Sequence, residues 1–359
     1  MKNIDIKDIF GKAIRIVAFV LLASVVFLFI SAGCERKTFY DEWNYMAKLN
    51  EFYSMEEDSL DYVVVGSSHA YCTVNPLEVW EENGIAGFVL ATQQQPLRAS
   101  YHYIKEAFKT QSPEYVFLEG YMICGEDNYD PAVLYDALDP LKFSFNKLEM
   151  VNNLVEYDQR PEFYLNILKY HTRWSSLPAN KIEALFEDNI DIHKGFVPVR
   201  GSYVGEANQI PDYDSYKDVE LSEFNLEVLN DIYELVEDNG SELILLIGPY
   251  ATVPEEEWLC ERIKAEIKWA EGKGVSVLDY AVKLDELGID PAADYYDATH
   301  LDVSGAAKIS AHLAAYLGEK GIKENERIDK EQWQKDFDEY YEVAKNDLEP
   351  AVEDEALEE

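Results

Sequence analysis

The sequence predicts an α/β protein: a three-layer α/β/α sandwich built on a five-stranded parallel sheet and preceded by one transmembrane helix. Short apolar runs separated by segments of helical spacing predict the sheet, and a long uncharged N-terminal segment predicts the membrane helix. The runs are YVVVG (62–66), GFVLA (87–91), EYVFLEG (114–120), ELILLIG (242–248) and GVSVLDY (274–280). Strands that are apolar throughout are typical of a parallel sheet covered by helices on both faces.

The N-terminal segment contains no charged residue from Ile16 to Gly33, which is about the length of a bilayer span. Four basic residues precede it: Lys2, Lys7, Lys12 and Arg15. By the positive-inside rule they leave the amino terminus in the cytoplasm and the rest of the chain outside. A cleaved signal peptide is the competing interpretation because the run ends in SAG, but its length favours an uncleaved anchor. Cys34 after SAG suggests lipidation, although Ser31 stands where such sites normally have Leu.

The helices between the runs follow from their spacing and end signals. Asn75 and Pro76 predict a helix start, with Asn as the cap and Pro in the first helical position. The next helix lies within PLRASYHYIKEAFK. An amphipathic helix precedes the fourth strand and is expected to have Gly240 as its C-cap. Another helix is expected to start at Pro254 and to lead into the fifth strand.

The chain divides into four predicted segments. These are a cytoplasmic stub and anchor (1–35), a juxtamembrane stalk (36–60), an α/β domain (61–317) and an acidic C-terminal tail (318–359). Residues 121–241 exceed an ordinary crossover and are interpreted as an inserted cap, with a plain scaffold extension as the alternative. In the tail, Trp333, Phe337, Tyr340 and Tyr341 share one face of a predicted helix that packs on its own domain. The final acidic stretch, NDLEPAVEDEALEE, is expected to be disordered.

Composition excludes several classes of function. The net charge of −39 opposes binding to nucleic-acid phosphates and to anionic lipid surfaces, so no nucleic-acid partner is expected. The cysteines are scattered without the spacing of a zinc site or a disulfide framework. They are Cys34, Cys72, Cys124 and Cys260. Neither a metal nor a cofactor is therefore predicted.

The first strand ends in VVVGSSHAYC, which places Ser67, Ser68 and His69 at the carboxyl edge of the sheet, where ligands bind in such folds. A serine hydroxyl becomes a nucleophile when a base takes its proton and a third group orients that base. His69 is expected to line the cleft rather than to act as base, because adjacent residues at a strand end point apart.

A base and its orienting group occur together near the carboxyl end, in DATHLDVSG. Asp297 precedes His300 by three residues, so one turn of chain brings the carboxylate to the imidazole. Ser68, His300 and Asp297 are thus the predicted catalytic residues. His312 lies within the last helix of the domain and is expected to be structural. His102, His171 and His193 have no assigned role, except that His171 is a candidate to face substrate together with Arg173 and Trp174 in the cap.

GSSH after an apolar strand, together with DATHLDVSG, resembles the SGNH (GDSL-like) hydrolase superfamily. The similarity is to its membrane-anchored extracytoplasmic branch, related to the lipoteichoic acid D-alanylation protein and the alginate acetylation proteins. FVLATQQQPLRASYHYIKEAF is similar to the second conserved block of that branch, and the resemblance spans about 60–317. It implies a flavodoxin-like SGNH fold in which Ser68 is the nucleophile, His300 the general base and Asp297 the orienting acid. The Ser68 backbone N–H would be one oxyanion donor.

Two positions depart from the pattern of the superfamily. At the position before the nucleophile, where the superfamily usually has Asp, this sequence has Ser67. The third block of the superfamily corresponds to EGYMICGED, which has the expected glycine, Gly120, but has Met122 where the superfamily has Asn. One expected oxyanion donor is therefore absent. By position only, Gln93, Gln94 and the backbone amides near Thr92 could substitute for it. Ser67, His69 and Gly120 complete the set expected to line the oxyanion or substrate site.

The expected function is that of an anchored, outward-facing serine esterase or O-acyltransferase. The resemblance implies acyl esters of a cell-envelope polysaccharide or teichoic acid as substrate and a multi-pass membrane O-acyltransferase as partner. The alternative is a catalytically weak glycan-binding or assembly protein, which the missing Asn favours. A phospholipase is disfavoured because the sequence shows no apolar substrate channel.

Overall fold

The protein is described here from a computed structural model. The residues that it describes are 6–33, 45–124, 129–171, 190–201, 210–250, 257–323 and 325–348. Contacts divide the chain into two compact units. The N-terminal unit comprises Met1–Thr38 and Val155–Asn189, and the sheet unit comprises Phe39–Leu154 and Ile190–Glu359.

Helix α1 of the N-terminal unit, Ile6–Gly33, contains a stretch of 22 residues with a mean hydropathy of 2.8, Phe10–Ser31. Its apolar side chains are exposed, Phe19 by 71%. Such a helix is consistent with a signal sequence or a single membrane anchor. The unit also contains two short helices, α8 (Arg160–Tyr164) and α9 (Asn166–Tyr170). They are two separate helices because Leu165 between them has an extended backbone.

The described part of the sheet unit forms a five-stranded, fully parallel sheet in the order β2-β1-β3-β4-β5. The strands are β1 (Tyr62–Gly66), β2 (Gly87–Ala91), β3 (Tyr115–Glu119), β4 (Glu242–Ile247) and β5 (Ser276–Asp279). Each lies at its predicted position. The predicted α/β class and the five-stranded parallel sheet are confirmed.

In the described part of the sheet unit, α2 (Tyr45–Ser54) precedes β1, and the other α-helices lie between the strands or follow the last one. These others are α3 (Ser68–Thr73), α4 (Pro76–Asn83), α5 (Leu97–Ala107), α6 (Pro131–Leu138), α7 (Phe145–Leu154), α10 (Glu223–Asp238), α11 (Glu257–Lys273), α12 (Leu284–Leu287), α13 (Val303–Glu319) and α14 (Lys330–Leu348).

The sheet is buried on both faces. On one face, Val64, Val89 and Phe117 lie side by side in register and belong to a core cluster with residues of α3, α4 and α13. On the other face, the alternate residues such as Val63 and Val116 are equally buried, and α5, α10 and α11 contact β1, β4 and β5. Burial on both faces explains why the strands are apolar at most positions, with charged residues only at strand ends.

The described helix ends lie at the predicted residues, except that the C-cap of α10 is one residue earlier than predicted. The Asn75 side chain accepts a hydrogen bond from the Leu77 N–H, and Pro76 opens α4 as predicted. Helix α10 has Asn239 as its C-cap, so the predicted cap, Gly240, is the residue that follows. Gly240 takes the left-handed backbone there, with φ +79°. The expected start of α11 at Pro254 lies outside the described residues.

Helices α2 and α14 belong to the sheet unit through buried contacts. The Lys194 ammonium lies 2.7 Å from Glu51 of α2 and 2.5 Å from Asp336 of α14. On the predicted aromatic face of α14, Trp333 and Tyr340 are buried, whereas Tyr341 is 46% exposed.

The predicted segment boundaries stay predictions. They are 1–35, 36–60, 61–317, 121–241 and 318–359. Disorder of the last acidic stretch is likewise still a prediction.

Residues 190–201 lie along the outer edge of β2. The Val89 N–H donates to the Lys194 carbonyl at 2.9 Å, and the Val197 N–H donates to the Tyr71 carbonyl at 2.9 Å. Gly195 has φ +83°, and a Cβ there would lie 2.0 Å from the Val89 oxygen. This segment satisfies backbone groups that an edge strand would otherwise expose.

Alanine at position 195 is expected to destabilise the fold more than alanine at position 240. Both glycines have positive φ, but a Cβ at Gly240 would meet no atom within 4 Å. Gly240→Ala therefore adds backbone strain alone, about 1 kcal/mol. Gly195→Ala adds a clash with a carbonyl, for a total of about 3 kcal/mol. Denaturant unfolding of the detergent-solubilised chain measures the difference, and equal losses would contradict the close edge packing.

Candidate active site

The candidate site lies where the strand order changes direction. Strands β1 and β3 are neighbours in the sheet. The connection that leaves β1 leads to β2 on one side, and the connection that leaves β3 leads to β4 on the other side, so the two connections diverge. In open parallel sheets, ligands bind beyond the carboxyl ends of the strands at such a point. Ser67 and Ser68 follow β1, and Glu119 ends β3.

Ser67 holds the end of β1 to the end of β3. Its backbone N–H and its hydroxyl both donate to Glu119 Oε2, at 3.1 and 2.8 Å. Glu119 Oε1 accepts from the Tyr121 N–H at 2.7 Å and from the Tyr250 hydroxyl. Glu119 was not among the predicted site residues. Its signal in the sequence is that it is a charged residue at the end of a buried apolar strand. Ser67 is thus an anchoring residue, and its amide is engaged.

Ser68, His300 and Asp297 form one hydrogen-bonded chain. His300 Nε2 lies 2.8 Å from Ser68 Oγ, and His300 Nδ1 lies 2.9 Å from Asp297 Oδ2 and 3.0 Å from Oδ1. These residues come from the start of α3 and from the loop before α13, so the fold joins positions that are 232 residues apart. A hydroxyl, an imidazole and a carboxylate in this order can activate the hydroxyl as a nucleophile.

The loop that carries His300 is held by its own backbone. The Thr299 and His300 N–H groups donate to Asp297 Oδ1 at 2.8 and 2.9 Å. The Tyr296 N–H donates to the His300 carbonyl at 2.9 Å, next to an antiparallel bridge between Tyr295 and Leu301. The orientation of the imidazole is therefore set by several local hydrogen bonds.

The surroundings of Asp297 favour its ionised form. Burial by itself raises the pKa of this carboxyl, but hydrogen bonds from the His300 side chain and from the Thr299 and His300 backbone outweigh burial and hold the pKa well below its usual range. An ionised Asp297 accepts the proton of Nδ1, which leaves Nε2 free to accept from Ser68. Asp297 thereby fixes the tautomer that a base requires.

His69 lies beneath the ring of His300. Their ring centroids are 4.5 Å apart, and Tyr121 and Tyr250 pack on other sides of His69 at 4.0 and 4.8 Å. Among the described residues, neither ring nitrogen of His69 has a hydrogen-bond partner. Burial, and then the neighbouring His300, lower the pKa of His69 well below its ordinary value. A neutral His69 therefore supports the ring of His300.

The remaining predicted lining residues have other hydrogen bonds. The Gly120 N–H donates to the Leu246 carbonyl at 3.0 Å, and the absent Cβ leaves room for the Glu266 carboxylate. The Thr92 hydroxyl donates to Gln95 at 3.2 Å, and the Gln93 N–H donates to the Tyr45 hydroxyl at 3.1 Å. Gln94 is exposed, with φ +47°.

The Ser68 N–H makes no hydrogen bond within the described part of the chain, so it is available to a ligand.

The other histidines lie in separate surroundings. His102 is buried and contacts Asn146 at 2.8 Å, and His193 contacts Asp191 at 2.8 Å. His312 Nδ1 lies 3.3 Å from the Tyr280 hydroxyl, which agrees with a structural role. His171 is exposed. Arg173, Trp174 and Cys34 lie outside the described residues.

Comparison with known proteins shows a distant similarity to a solved structure. No family model matches the chain, and no curated protein matches it. Among solved structures, the chain is similar to "An Acetyl Xylan Esterase (Est2A) from the Rumen Bacterium Butyrivibrio proteoclasticus", with 8% sequence identity and a TM-score of 0.28. The match covers 73% of this chain and 64% of that chain. The chain thus spans about 64% of the length of that esterase.

Proposed function

We propose that this chain is an SGNH-type serine esterase or O-acyltransferase. The observation that carries the proposal is the chain of hydrogen bonds from Ser68 through His300 to Asp297, with lengths of 2.8 and 2.9 Å. Two independent sequence motifs supply these residues, one at the start of α3 and the other in the loop before α13. The resemblance to the membrane-anchored SGNH branch, with its three-layer flavodoxin-like fold, supports the same assignment.

The proposed reaction has two halves. Ser68 Oγ bonds to the ester carbonyl carbon while its proton moves to His300 Nε2, and the departing alcohol then takes that proton. Water or a sugar hydroxyl next attacks the acyl carbon and gives its proton to Nε2. The bond from the acyl carbon to Oγ breaks, and Oγ regains the proton. The Ser68 N–H is one donor to the oxyanion of each tetrahedral intermediate.

The proposed location is the outer face of the cell membrane. Helix α1 would be a single-pass anchor with a cytoplasmic amino terminus, supported by the basic residues before its uncharged segment (16–33), such as Lys12 and Arg15. An anchored enzyme acts on material near the membrane. The proposed substrates are therefore acyl esters, acetyl or D-alanyl, of a cell-envelope polysaccharide or teichoic acid. A multi-pass membrane O-acyltransferase is the proposed partner.

A fluorophosphonate probe and an aryl acetate test the proposal on the full chain in detergent. We expect covalent labelling of Ser68, located by peptide mapping, and turnover of the aryl acetate. Ser68→Ala is expected to lose both, because the attacking oxygen is absent. Labelling of Ser67 in place of Ser68, or unchanged labelling of the Ser68→Ala variant, would refute the assignment.

A glycan-binding or assembly protein is the second candidate function. Met122 is buried where the resemblance expects an Asn side chain, so one amide donor to the oxyanion is missing. This candidate predicts that the wild-type chain is retained on immobilised envelope glycan while Ser68 stays unlabelled. Labelling of Ser68 together with turnover would exclude it.

A further inference from the structure

One buried carboxylate is bonded to both sides of the candidate site. Glu119 ends β3, is 2% exposed, and accepts hydrogen bonds through both of its oxygens. Its Oε2 accepts from the Ser67 N–H at 3.1 Å and from the Ser67 hydroxyl at 2.8 Å. Its Oε1 accepts from the Tyr121 N–H at 2.7 Å and from the Tyr250 hydroxyl. A carboxylate has about four acceptor positions, so the protein itself occupies all of them.

The hydrogen bonds at Oε2 fix the turn that presents the nucleophile. Ser67 is the N-cap of α3 and directly precedes Ser68. Because Glu119 holds both the amide and the hydroxyl of Ser67, it fixes the backbone of this turn relative to β3. The fit is close, since a Cβ at Gly66 would lie 2.5 Å from the Glu119 Cβ. The positions of the Ser68 oxygen and amide therefore depend on the Glu119 carboxylate.

The hydrogen bonds at Oε1 support the base through two aromatic residues. The rings of Tyr121 and Tyr250 pack against His69, with centroids 4.0 and 4.8 Å from its ring centroid. The His69 ring in turn packs against that of His300 at 4.5 Å. Burial, and then the nearby Glu119, raise the pKa of Tyr250, so its phenol keeps its proton and donates. Glu119 thus holds the backbone of one tyrosine and the hydroxyl of the other beneath the base.

We propose that Glu119 is a positioning residue that aligns Ser68 and His300 with each other. The inference rests on the proposed esterase or acyltransferase function. Both oxygens of Glu119 are occupied by the protein, so it acts through Ser67 and His69 and not on the reacting atoms. A displacement of about 1 Å between reacting groups can cost about 100-fold in rate. Loss of either set of hydrogen bonds is therefore expected to slow the chemical step.

Glutamine cannot reproduce this arrangement. The Ser67 and Tyr121 backbone N–H groups face different oxygens of the carboxylate, and a backbone N–H can only donate. Whichever way the amide of glutamine is turned, its NH₂ group faces one of these two N–H groups. Glu119→Gln therefore keeps the size of the side chain but displaces either the turn before Ser68 or the backbone of Tyr121.

Steady-state turnover of an aryl acetate by the full chain in detergent tests the inference. We expect Glu119→Gln to lower kcat about 100-fold and to change KM less than about threefold, because misalignment affects chemistry more than binding. Ser67→Ala removes one donor and keeps the backbone N–H, so its kcat should fall about 3- to 10-fold. Because the Ser67 hydroxyl acts through Glu119, its removal should cost less in the Glu119→Gln variant than in wild type.

Glu51→Gln is the matched control. Glu51 is also a buried carboxylate, 4% exposed, and accepts from the Lys194 N–H at 3.1 Å and from the Lys194 ammonium at 2.7 Å. These contacts join α2 to the segment 190–201, and none involves the hydrogen-bond partners of Glu119. The control should lose stability but keep kcat within about twofold of wild type. Thermal unfolding shows whether each variant is folded at the assay temperature.

Four results would overturn the inference. If wild type is active and Glu119→Gln keeps the kcat of Glu51→Gln, Glu119 does not position the site, while the proposed function stands. A raised KM with unchanged kcat would make Glu119 a binding residue instead. If Glu119→Gln does not fold, Ser67→Ala decides, and wild-type kcat in that variant refutes the inference. If wild type forms no acyl-Ser68, the proposed function and the role of Glu119 are both wrong.

Discussion

Replacing His300 by alanine is expected to lower the kcat/KM for an aryl acetate by about 10⁴- to 10⁶-fold, as in serine hydrolases that lose the catalytic base. His300 Nε2 is the imidazole nitrogen that lies 2.8 Å from Ser68 Oγ. His69 cannot replace it, because neither nitrogen of that neighbouring ring hydrogen-bonds Ser68. Steady-state turnover by the full chain in detergent measures the loss.

His312→Ala is the matched control for this variant. Its imidazole lies on α13 and contacts the Tyr280 hydroxyl at 3.3 Å, so its removal should leave turnover within about twofold of wild type. A His300→Ala variant with wild-type turnover would show that another group is the base.

The sheet could be predicted because its signals are local in the sequence, and the residues of the candidate triad, Ser68, His300 and Asp297, were proposed from signals that are equally local. Most strand positions are apolar, since burial on both faces leaves no exposed position on β1 or β3. The cap of α4 needs only the adjacent residues Asn75 and Pro76. Asp297 and His300 are likewise close in sequence, and their backbone hydrogen bonds form within one loop.

The surroundings of the triad could not be predicted, because they depend on residues far apart in the chain. Glu119 holds Ser67 across two neighbouring strands, and Tyr45 reaches Tyr71 from a helix that precedes the first strand. Glu119 is marked in the sequence as a charged residue at the end of an apolar strand, but no local pattern identifies the partner in either contact. The amide of Gly120 was expected to line the site from its place after β3, but it pairs with Leu246 of β4. Which backbone groups remain free is decided by the complete sheet.

Asp297→Asn is expected to lower kcat by about 10³- to 10⁴-fold, with a smaller change in KM, through the tautomer of His300. In wild type, Oδ1 accepts from the Thr299 and His300 backbone N–H groups, and Oδ2 faces Nδ1 at 2.9 Å. These backbone donors would hold the amide oxygen of Asn at the Oδ1 position. The amide NH₂ would then face Nδ1 and place the imidazole proton on Nε2, where it cannot accept from Ser68.

Asp302→Asn is the matched control, because Asp302 lies in the same segment but caps α13 through the Ser304 and Gly305 N–H groups. Asn caps helices as well as Asp does, so this variant should keep wild-type kcat. Hydrogen bonds from the His300 side chain and from the Thr299 and His300 backbone lower the pKa of Asp297, so its carboxylate stays charged when the pH falls to the usual range of a carboxyl group. Loss of the orienting charge should therefore not limit activity in that range. If Asp297→Asn and Asp302→Asn show the same kcat, Asp297 does not set the tautomer, and the proposed proton transfer from Ser68 loses its orienting group.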